Sequence, residues 1–60
     1  MTIDTLIENL EDPDMITIKY NGYTINRVEG GFTVCNNSVL IDTAATVNEV
    51  LEILSADAIY

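Results

Sequence analysis

Apolar residues recur at Ile3, Leu6, Ile7 and Leu10, then switch at Met15 to strict alternation. The first spacing, i, i+3, i+4, i+7, lines one side of a helix and predicts a helix over 3–11. Thr2 can cap its first turn, and Asp4 suits the positive end of the helix dipole. Pro13 ends it, because the residue before a proline is pushed out of the helical region. From Met15 the pattern is that of strands. Ile16, Ile18 and Tyr20 alternate with Met15, Thr17 and Lys19 over a predicted strand 15–20. Asn21-Gly22 is a preferred pair for the two-residue type I′ turn, which needs positive φ at both positions. That turn pairs Tyr20 with Tyr23, Ile18 with Ile25 and Ile16 with Arg27 on one face, and makes 23–28 the second strand. Thr17, Lys19, Thr24 and Asn26 fall on the other face, which should be wet. Tyr20 and Tyr23 are expected to pack on the core with their hydroxyls reaching water.

The later elements follow from the same logic. A two-residue Gly30-Gly31 loop would pair Glu29 with Phe32 and Arg27 with Val34, placing Phe32 and Val34 on the Ile18/Ile25 face. A three-residue loop would put both on the polar face, since a slip of one residue inverts every side chain. The glycine pair is therefore expected as the turn, with a third strand over 32–35. Asn36-Asn37 offers a third tight turn, with Val39 and Ile41 in a short fourth strand over 38–41 as an alternative to ending the sheet at three. Thr46-Val47-Asn48-Glu49 is a capping box, opening a helix over 46–56 with Val47, Val50, Leu51 and Leu54 as its stripe. The predicted fold is α+β: a single small domain over 1–60, in the order α-β-β-β(-β)-α. It has a three- or four-stranded antiparallel meander with both helices on its one apolar face.

Composition agrees with a folded chain. With 48% apolar and 20% charged residues, disorder is not expected. At 60 residues the core is small, and such a core supplies about 3–5 kcal/mol. Charge changes the picture more. Ten acidic residues face only Lys19 and Arg27, for a net charge of −8. Phosphate contacts need clustered Lys and Arg, so direct nucleic-acid binding is not expected, and neither is an anionic membrane surface. A charged partner should be basic.

No chemistry stands out in the residue types. There is no histidine, which removes the commonest general base and metal ligand. Cys35 is the single cysteine; it lacks a base or cationic cluster to activate it, and reads as a small residue on a sheet face. Asp12 and Asp14 do not continue into a calcium loop, because Ile16 and Ile18 stand where ligands should follow. The glycines match no phosphate loop. Neither enzymatic activity nor a cofactor nor a metal is expected. The start lacks the regions of a secretory leader and no apolar run approaches ~20 residues, so the expected compartment is a reducing cytosol, that of the host cell if a phage encodes the chain.

What remains is surface. On a helical wheel Asp4, Glu8 and Glu11 lie along one flank of the first helix, and Asp12 and Asp14 extend them into the loop. The two cations are expected on the sheet, away from that helix. Asp4 and Glu8 are a like-charge i, i+4 pair, which costs a few tenths of a kcal/mol. The plainer reading is a solvated face that keeps a small domain soluble. The functional one is an acidic ridge: carboxylates one turn apart stand roughly 6 Å from each other, about the spacing of successive backbone phosphates. A second surface competes. Ile53 lies outside the stripe of the second helix, and with Ile59 and Tyr60 it forms a candidate dimer contact.

The stretch "MTIDTLIENLEDPDMITIKYNG" resembles the start of small acidic phage anti-CRISPR proteins, of the type that inhibits an RNA-guided DNA nuclease. The shared positions are Ile3, Leu6, Ile7 and Asp14, with a helix, three strands and a helix in that order. "YNGYTINRVEGGFTV" is similar to short phage and mobile-element reading frames of the Tyr-x-Gly-Tyr type. The first resemblance implies a protein that occupies the basic groove where the nuclease recognises the motif flanking its target. Asp14 alone carries over by position; where the family has a second acidic loop, this chain has Asn36 and Asn37. The leading expectation is a phage-type inhibitor that binds a basic, nucleic-acid-handling protein through Asp4, Glu8, Glu11, Asp12 and Asp14. The alternative is a non-enzymatic assembly module that homodimerises through the second helix or a sheet edge.

Overall fold

A computed structural model describes residues 2–59, with side-chain surroundings for residues 2–57. The first helix, α1, spans Ile3–Glu11, the expected range. Thr2 caps it, its hydroxyl oxygen accepting from the Thr5 N–H at 3.3 Å, and Asp12 closes it in an extended conformation. Four strands follow: β1 Thr17–Tyr20, β2 Tyr23–Val28, β3 Gly31–Asn36 and β4 Val39–Ala44. They form one antiparallel sheet in the order β1-β2-β3-β4. The second helix, α2, spans Val47–Ile59. Its start is the predicted capping box: Thr46 Oγ1 accepts from the Glu49 N–H at 3.2 Å, and Glu49 Oε2 accepts from the Ala45 N–H at 2.8 Å. Thr46 is thus the cap and not the first helical residue, and the helix continues past the expected end at 56.

The α+β meander with two helices on one face is the observed architecture. Ile18, Ile25 and Val34 stand side by side across three strands, and Phe32 and Ala44 form a neighbouring row. Leu6 and Leu10 of α1 and Val50 and Leu54 of α2 cover them in one cluster. Each such side chain taken out of water contributes roughly 1.5–3 kcal/mol before entropy opposes it. The outer face carries Thr17, Asn26, Thr33 and Thr43 in one row and Lys19, Thr24, Cys35 and Leu40 in the next. Cys35 is half-buried there.

Three turns set the register, and two of them lie one residue from where the sequence suggests. Asn21 and Gly22 take φ 48° and 85°, the expected type I′ signature, and Tyr20 pairs with Tyr23 as predicted. The second turn is Glu29-Gly30, not Gly30-Gly31: Val28 pairs with Gly31 and Arg27 with Phe32. Only Gly30 carries positive φ, at 85°, while Gly31 opens β3 opposite the end of β4. The register moves by two residues, so Phe32 and Val34 keep their core face. The third turn is Asn37-Ser38, with φ 52° and 68°, and not Asn36-Asn37. Asn36 pairs with Val39, and the fourth strand runs to Ala44 instead of ending at 41.

The first strand is shorter than predicted, and Ile16 lies beyond it, 59% exposed. Its carbonyl still accepts from the Arg27 N–H at 2.7 Å. Met15 packs against the core in its place. The cause is the Arg27 side chain, which occupies that end of the core face and bonds to the Met15 carbonyl.

Candidate functional site

Asp4, Glu8, Glu11, Asp12 and Asp14 are all exposed. The first three share a flank of α1, and the chain reversal at Pro13 brings the last two beyond its C-terminal end. Asp12 has a local task as well: its Oδ1 accepts from the Asp14 N–H at 3.0 Å, while its carbonyl accepts from the Met15 N–H at 3.1 Å. These bonds hold the Asp-Pro-Asp turn closed, so the ridge continues into a defined loop.

Arg27 is not remote from this ridge, contrary to the expectation from the strand pattern. Its Nη2 donates to the carbonyl oxygens of Leu10 and, at 2.9 Å, Asp12, and its Nε donates to Met15 O at 3.1 Å. The guanidinium also lies over the Phe32 ring, 4.9 Å from its centroid. The last carbonyls of a helix lack internal partners and carry its negative end. A cation with five donors in a fixed fork satisfies them and the loop at once. Periodicity places Arg27 on a strand face but does not reveal that its reach ends at α1.

A second polar cluster also lay outside the sequence reading. Tyr23 Oη donates to Asp57 Oδ2 at 2.6 Å, and Asn36 Nδ2 donates to the same oxygen at 3.3 Å. Tyr23 and Asn36 are cross-strand partners, so one carboxylate on α2 ties down the ends of β2 and β3. The Tyr23 hydroxyl is therefore engaged with α2. That bond pushes its pKa above the ordinary 10.0, with burial and repulsion from the Asp57 charge adding to the rise. The neutral phenol favours the folded state, so this contribution is full below the unfolded value and is lost as pH rises through the raised one. Tyrosinate absorbance is expected to show a step later than the ordinary value, which Tyr23→Phe removes. A single step near pH 10, unchanged in that variant, would refute the coupling to Asp57.

Ile53 is half-buried, packed against the core, and lines a cleft with Ile41 and Asp42 of β4. The side chain of Ile59, and Tyr60 altogether, lie outside the described residues. Exposed apolar surface sits elsewhere, at Val39 and Leu40 of β4, which are 63% and 57% exposed. No group of His, Cys, Asp and Glu among the described residues is arranged to hold a metal ion. No helix among them is long and apolar enough to cross a membrane. No family model, curated protein or solved structure matches the chain.

Proposed function

We propose that this chain is a small acidic inhibitor of the phage type, which docks on the basic surface of a protein that handles nucleic acid. It does so by presenting Asp4, Glu8, Glu11, Asp12 and Asp14 in place of a phosphate backbone. One observation carries the reading: these carboxylates are exposed in an unbroken run from α1 into a closed turn. The nearby guanidinium of Arg27 directs its Nε and Nη2 donors at main-chain carbonyls. Preorganised charge of this kind steers association and sets specificity.

The test is competition with DNA for a basic DNA-binding enzyme, first an RNA-guided nuclease and then a restriction endonuclease. Displacement of DNA should weaken steeply from low to high salt, because screening acts on exposed charges. The double variant Glu11→Lys/Asp14→Lys should lose the effect while keeping the circular dichroism of the folded domain. Displacement that is indifferent to salt, or that survives in this variant, would sink the mimic. A second reading, a module that homodimerises through a sheet edge, draws on the exposure of Val39 and Leu40. A strictly monomeric species in concentrated sedimentation runs would remove it.

A further inference from the structure

The outer margin of the sheet carries a different surface, far from α1 in the strand order. Among the described residues β4 pairs with β3 alone, so the main-chain groups on its other side face away from the sheet. A register shift between Val34 and Cys35 leaves Ile41 as an extra residue in β4. Bulges of this kind re-aim side chains: Asp42 comes to pair with Val34, on the helix-facing side. Between this margin and α2 lies a cleft of about 430 Å³, lined by Ile41, Asp42, Glu52, Ile53, Ala56 and Asp57.

The cleft has two chemical halves. Ile41 and Ile53, both packed against the core, form an apolar floor with Ala56. Asp42, Glu52 and Asp57 provide the rim, and the bonds from Tyr23 and Asn36 fix the direction of the Asp57 carboxylate. Neither Lys19 nor Arg27 lines it. An open strand edge beside a helix suits an extended chain, which adds a strand through main-chain bonds and seats alternate side chains in the cleft. The opposite edge is less suited, since β1 has only 4 residues against 6 in β4.

We infer that the β4/α2 cleft receives an extended basic segment of a partner protein, added to β4 as a fifth strand. Side chains with an aliphatic stem and a cationic head fit an apolar floor inside a carboxylate rim. Every second residue of the segment enters the cleft, and those between lie beside Leu40 on the outer face. A second copy of this chain is the poorer occupant. It would bring another Asp42 and a further net charge of −8 to the same rim.

The probe is an acetylated, amidated peptide of alternating lysine and valine, as long as β4, titrated into the labelled protein at low salt. Amide shifts should fall on Val39–Ala44 and residues 52–57. Methylating alternate peptide nitrogens should remove binding, and Asp42→Lys/Glu52→Lys should weaken it at least about tenfold. Glu11→Lys/Asp14→Lys should leave it unchanged, which separates this site from the α1 ridge. Shifts confined to α1, full binding by the methylated peptide, or no binding at millimolar peptide would each overturn the inference. So would β4 shifts that depend on protein concentration without peptide, since a second copy would then occupy the edge.

Discussion

Replacing Arg27 with methionine is expected to remove about 3 kcal/mol of stability, most of what a domain of this size possesses. The guanidinium donates to three carbonyls, of Leu10, Asp12 and Met15. A hydrogen bond from a charged donor contributes about 1.5–3 kcal/mol, and the contact with Phe32 adds about 0.5–1 kcal/mol. These contributions share one side chain and do not add in full. Methionine keeps much of the stem over Phe32 but leaves the Leu10 carbonyl, at the end of a buried helix face, without its donor. Urea unfolding should show a midpoint shifted far down, with part of the population unfolded in buffer. Arg27→Lys should recover less than half of the loss, because a single ammonium cannot span three acceptors in a fork. A methionine variant within about 0.5 kcal/mol of the parent, the range of neutral surface changes, would show that the helix end and loop hold without the guanidinium.

The consequence reaches beyond stability. Arg27 is what joins the end of α1 to the Asp12–Asp14 turn, so the same substitution should loosen the ridge proposed to meet a partner.

Gly31→Ala should cost about as much, on the order of 3 kcal/mol, for a different reason. A Cβ at Gly31 would stand 2.1 Å from the Ala44 carbonyl oxygen and 3.1 Å from Ala44 C and Ala45 Cα. All three are main-chain atoms and cannot rotate aside. β3 and β4 must part where Phe32 pairs with Ala44, directly ahead of the capping box of α2. Gly30→Ala is the control. Gly30 has φ 85° with open space around the site, so an alanine there meets only the left-handed penalty of roughly 1–2 kcal/mol. Thermal unfolding should rank Gly31→Ala below Gly30→Ala, and amide exchange should quicken along β4 in the former. The reverse order would mean that the sheet accommodates the methyl group without parting.

The two glycines also show how far the sequence could be read. Their parity was legible: Phe32 and Val34 must share a face with Ile25, and they do. Their division of labour was not. Gly-Gly resembles a turn from either residue's neighbours, and only the approach of Ala44, 13 positions away in the chain, makes Gly31 a strand residue. The same holds for Asn36 and Asn37. Asn36 serves β3 and reaches Asp57, which leaves Asn37-Ser38 for the turn.

By itself the sequence determined the bounds of α1, the first hairpin, the capping box of α2, the α+β class and most of the core. Each rests on atoms within about one helical turn or one tight turn of each other, where spacing and φ preference are sufficient. It also determined the acidic flank of α1, since a helix maps sequence spacing onto a face. Only the tertiary structure decided where Arg27 ends, what the Tyr23 hydroxyl meets, and that the bulge at Ile41 lies beside a cleft lined by α2. Those depend on which distant groups the sheet and helices bring within hydrogen-bonding reach. The direction of a long polar side chain is set by the partner it finds there and not by its neighbours in the chain.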